Sequence, residues 1–127
     1  MLTKVTTTNS IDRVGTALEE GAGEFGLSIL NSQDLAQRMT DKGFPFETPV
    51  RVFDVCSASH AHEVLSKRID IATAMPCRIA LYESAGKTVL ATLKPTVLLP
   101  MFGEESLAEV AEEVERRITG LMKHAAD

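Results

Sequence analysis

The apolar positions of the last third of the chain recur at three-and-four spacing. Leu107, Val110, Ala111, Val114, Ile118, Leu121, Met122 and Ala125 share one side, which predicts a long amphipathic C-terminal helix. Its other side, with Glu109, Glu112, Glu113 and Glu115, reads as a solvated face. At the opposite end, Leu2 to Thr8 alternates between polar and apolar or β-branched residues, predicting a partly exposed first strand. Asn9 is then placed as a helix cap with Asp12 three positions on, and Ile11, Val14, Leu18 and Phe25 mark one helical face up to Gly26. Gly15, Gly21 and Gly23 weaken that helix locally.

The middle of the chain changes period. Leu27 to Leu30 reads as a short apolar strand, followed by a small helix from Asp34 with Gln37 placed for a capping box and Gly43 at its end. In "VRVFDVC", Val50, Val52, Asp54 and Cys56 share one face while Arg51, Phe53 and Val55 share the other. Neither face is cleanly polar, so this predicts a central strand. A helix from about His60 to Ile69 follows, its core face marked by Ala61, Val64, Leu65 and Ile69. "CRIALYE" and "KTVLATLK" then flank "SAG" as a hairpin.

This order predicts an α+β fold: a mainly antiparallel sheet of four or five strands, with helices packed on one face and the long C-terminal helix among them. Residues 1–127 read as a single domain. The hairpin carries apolar residues on both faces, Ile79 and Leu81 against Ala80 and Tyr82, so the second face needs a cover that a homodimer would supply.

Charge and composition remove partners. The net charge is −5 with Lys and Arg scattered, leaving no basic stripe for nucleic acid. No apolar run has the length of a signal peptide or a membrane span, so the expected compartment is cytoplasmic and the two cysteines are expected to be thiols.

Candidate chemistry gathers at "DVCSASHAHEVL". Cys56 ends a strand just before a helix start, with Ser57 or Ser59 as the cap, where unpaired amides favour a thiolate. Packing of Cys56 as a small hydrophobe is the competing reading. His60 and His62 are about 200° apart around a helix, so they cannot grip one metal together, and His60 is the better candidate. Cys77 follows Pro76 at the next strand and meets Cys56 only if the two strands run antiparallel; a right-handed parallel crossover would separate them. Met75, Cys77, Cys56 and His60 make a soft-ligand set suited to haem iron or a transition metal, although no CxxC, HExxH or zinc-finger spacing is present. "ESAGKT" lacks the first glycine of a phosphate loop and sits in a hairpin turn, and the glycines of "EEGAGEFG" lie within or after a helix.

The same residues carry a family resemblance. Val50 to Cys56, Ala61 to Leu65, the "MPCR" of Met75 to Arg78, Leu81 to Glu83 and Gly86 resemble the signature half of the family called domain of unknown function 302, and the N-terminal and final helices fit in order and length. The resemblance implies a small, commonly dimeric α+β fold with no assigned reaction. The pair "VC" and "PC" is similar to only part of the family, and some relatives occur alongside sulfur-metabolism proteins, which implies thiol or persulfide handling. "FPFETP" and "PTVLLPMFG" depart from the commoner members.

Three functions are therefore expected to compete. One is a redox or sulfur-handling protein using Cys56 and Cys77 as redox thiols. Another is a module binding a small molecule, haem or a metal, with His60 and Met75 as cofactor ligands. The third is a non-catalytic homodimeric interaction protein whose cysteines are structural. No complete catalytic constellation is visible, so an enzyme is not assigned.

Overall fold

Alternating and helical periods in the chain become five strands and five helices in the computed structural model, which describes residues 1–127. The strands are β1 (Leu2–Thr7), β2 (Ser28–Asp34), β3 (Val50–Cys56), β4 (Cys77–Ser84) and β5 (Lys87–Leu93). The helices are α1 (Ile11–Gly21), α2 (Leu35–Asp41), α3 (Ala58–Lys67), α4 (Pro95–Leu98) and α5 (Ala108–Ala126). All strand pairs are antiparallel, in the order β1-β5-β4-β3-β2. The expected α+β class and antiparallel sheet are thus what the structure has. No helix is long and apolar enough to cross a membrane.

Strand alternation gives the sheet two different faces. Val5, Phe53, Val55, Ile79, Leu81 and Leu90 point to one side, where Ile11, Val14 and Leu18 of α1 and Ile118, Leu121 and Met122 of α5 complete the main core. The glycines that weaken α1 let it approach closely: a Cβ on Gly21 would lie 2.7 Å from the His124 ring of α5, and one on Gly15 would lie 3.2 Å from the Phe53 ring. The other face carries Leu2, Val50, Val52, Ala80, Tyr82 and Leu93, none of which joins either core cluster. The β4–β5 turn has positive φ at both Ala85 and Gly86, as a two-residue type I′ hairpin requires.

A second cluster sits at the sheet end where β3 stops and β4 starts. It joins Val64 of α3, Ile71, Leu99, Leu107 and the N-terminal half of α5 through Val110 and Ala111. This cluster supports the corner that holds the candidate site.

Several local expectations are corrected. Ser10, not Asn9, caps α1, its hydroxyl accepting from the Arg13 amide at 3.2 Å. Asn9 instead donates its side-chain amide to the carbonyls of Ala126 and Asp127, both at 3.2 Å, tying the chain ends together. β2 continues through polar residues to Asp34, because an edge strand held by backbone pairing to β3 needs no apolar run. A register shift between Ile29 and Asn31 leaves Leu30 59% exposed. Asp34 caps α2 through the Gln37 amide at 2.9 Å, but the Gln37 side chain turns forward to Asp41, so the capping box is only half formed. β3 is an interior strand as expected, although β4 occupies the centre. α3 begins at Ala58 and ends at Lys67, leaving Ile69 78% exposed while Ile71, in the following 3-10 turn, takes the buried place.

Candidate functional site

Because β3 and β4 are antiparallel, Cys56 and Cys77 come to the same end of the sheet. Val55 is the residue opposite Cys77, so Cys56 is its diagonal neighbour. Alternation then sends the two Cβ atoms to opposite faces. Cys77 packs against the main core and Cys56 leaves β3 on the outer side; both are free thiols.

A cavity of about 690 Å³ occupies this corner and reaches round the end of the sheet, so that both faces contribute to its wall. It takes in Cys56, Ser57, His60, Met75, Cys77 and Arg78, and 17 of its 24 lining residues are hydrophobic, so its interior favours an apolar guest. All four residues singled out by sequence therefore line one space. His62 is exposed and outside it, as the helix angle requires.

The electrostatics of the corner are uneven. Burial pushes the Cys77 thiol up to about 11, and the nearby Cys56 adds to that rise. Asp54 and Arg78, paired across β3 and β4, form an ion pair at 3.0 Å on the outer face, with the guanidinium the more exposed partner. Only the Arg78 Nε is used there, which leaves other donors at the cavity edge.

Ser57 is the residue that sequence reasoning placed only as a cap. It does occupy the N-cap of α3, but its hydroxyl makes no bond to the helix amides. The Oγ lies 2.6 Å from His60 Nδ1 instead, and Ser57 is 8% exposed. The signal was the Ser-x-x-His spacing: in a capping box the third helical residue reaches back to the cap, and here that residue is histidine. Arg78 and the α4 segment, which also reach the cavity, carried no comparable signal.

The metal reading loses its ligand cluster. No three His, Cys, Asp or Glu side chains come together in a group able to hold a metal ion. The physical reason is the alternation that sends Cys56 and Cys77 to opposite faces, so the two thiols do not converge.

The family model for domain of unknown function DUF302 matches residues 3–125, nearly the whole chain. The chain belongs to the DUF302 family. A crystal structure of an uncharacterised conserved DUF302 protein from Bacillus stearothermophilus is similar over 98% of this chain and 97% of that one, with a TM-score of 0.92 and 25% sequence identity. No curated protein matches this chain. The corner described above thus sits within a DUF302 fold that is shared with that neighbour over 97% of its chain.

The two thiols are expected to react very differently. Ellman's reagent at pH 8 should modify Cys56 first, with Cys77 reacting only on unfolding, because the thiolate is the reactive form and Cys77 is held protonated. Mass mapping of a partially labelled sample checks this; equal labelling of both cysteines in the folded protein would contradict it.

Proposed function

We propose that this DUF302 protein binds a small, mainly apolar ligand in the cavity between α3, the segment preceding β4, and α4. The observation that carries the reading is the cavity itself: about 690 Å³, predominantly hydrophobic, with a few polar groups converging from Ser57, His60 and Arg78. Its volume lies within the range of small-molecule sites.

Thiol-based redox chemistry has less support. Cys77, the second redox thiol of that scheme, is pushed up to about 11, and alternation turns it away from Cys56. Haem remains a specific form of the ligand reading, favoured by His60 and Met75 lining the same cavity. Hemin titration would support it by a shifted Soret band that is lost in both His60→Ala and Met75→Leu. A second copy of the chain is the partner proposed for the outer sheet face, where Leu2 and Leu93 pair across β1 and β5 and are both exposed.

The test is a titration with the apolar fluorophore N-phenyl-1-naphthylamine. Ala61 lines the cavity from α3, and Ala61→Phe places a ring in the space without adding charge. Wild type is expected to bind with enhanced emission, and Ala61→Phe to weaken binding at least tenfold. Equal binding by both proteins would overturn the cavity as the ligand site.

A further inference from the structure

We infer that Ser57 and His60 form a nucleophile–base pair that transfers acyl groups from small apolar esters or thioesters held in the cavity. This inference rests on the cavity being a ligand site. A serine at a helix start ordinarily turns its hydroxyl onto the backbone amides of the first turn. Ser57 does not: its Oγ lies 2.6 Å from His60 Nδ1, within the reach that a base needs to accept a hydroxyl proton. Both residues line the cavity, so the pair faces the space where a substrate would lie rather than bulk water. The first-turn amides of α3, left without the usual hydroxyl acceptor, supply donors for a developing oxyanion at the same helix end.

The chemistry needs only substrate and water. Ser57 Oγ attacks the carbonyl carbon as its proton passes to His60 Nδ1, giving a tetrahedral oxyanion. The carbon–oxygen or carbon–sulfur bond to the leaving group then breaks, and the leaving alcohol or thiol takes the proton from His60. Water attacks the acyl-serine ester with His60 again accepting a proton, and the proton returns to Ser57 Oγ as the acid is released. No electron transfer occurs at any step. The apolar walls at Ala61, Val64 and Leu99 suit a short aliphatic acyl chain.

The experiment measures 4-nitrophenolate release from 4-nitrophenyl butanoate by wild type, Ser57→Ala, His60→Gln and His62→Gln, with N-phenyl-1-naphthylamine binding followed on the same samples. Ser57→Ala removes no cap hydrogen bond, and far-UV circular dichroism verifies its fold. Release above the buffer rate is expected from wild type, with a loss of about a hundredfold in Ser57→Ala and in His60→Gln. His62→Gln, on the exposed side of α3, is expected within twofold of wild type. A fluorophosphonate probe is expected to label Ser57, located by peptide mass mapping. Wild type that binds the fluorophore but releases no more 4-nitrophenolate than Ser57→Ala would overturn the pair while leaving the cavity reading intact. Loss of both fluorophore binding and release would overturn both. An acyl group mapped to Cys56 instead of Ser57 would overturn the assignment of the nucleophile.

Discussion

Truncating Leu81 to alanine is expected to destabilise the protein by about 2–5 kcal/mol. Leu81 is fully buried on β4, the central strand, where its inner face meets α1. Its cross-strand neighbours are Arg51 on β3 and Leu90 on β5, and Leu90 is equally buried. Removing the side chain therefore loses its transfer free energy and leaves a cavity between sheet and helices that regular elements on both sides resist closing. Urea unfolding should show a lower midpoint with an unchanged slope. A loss below about 1 kcal/mol would mean that the site collapses freely and that this layer is not the rigid support of the fold.

A comparably large effect is expected at alkaline pH. The Cys77 thiol rises from an ordinary value near 9 to about 11 on folding, because burial disfavours the thiolate and Cys56 adds to the penalty. Between those values the folded chain keeps a proton that the unfolded chain has lost, so stability falls as pH increases. The stabilisation is intact below about pH 9 and is lost progressively up to about pH 11, amounting to roughly 2–3 kcal/mol. The informative quantity is the difference between wild type and Cys77→Ala, which isolates this thiol. Urea midpoints across pH 8–11 should fall more steeply for wild type. Parallel curves would contradict the desolvation of Cys77.

The fold was largely legible from period. α5 follows the three-and-four pattern from Val110 to Ala125, and the hairpin strands match "CRIALYE" and "KTVLATLK" within a residue or two. Elements that rely on backbone pairing or tertiary placement were less visible. β2 runs on through Asn31 to Asp34, where no apolar pattern marks a strand, and the exchange of Ile69 for Ile71 in the core depends on the chain turning after Lys67. α4 lies in "PTVLLPMFG", whose prolines and continuous apolar run define no helical face.

The site was legible as a region and less so as a mechanism. Cys56, His60, Met75 and Cys77 were drawn from residue type and position, and strand direction brings them to one cavity. Which side each thiol faces follows from a one-residue offset in the β3–β4 register, which no sequence feature specifies. Ser57 was read as a cap because serine at that position is usually one; only the geometry reveals that its hydroxyl bonds to His60 instead.

The most direct test of the ligand-binding account is a crystal structure of the protein with N-phenyl-1-naphthylamine. The account predicts density for one molecule beside Ala61 and Ser57, between α3 and the start of β4, and none there in Ala61→Phe. A molecule bound only on the outer sheet face against Val50 and Val52, which lie outside the cavity wall, would contradict it.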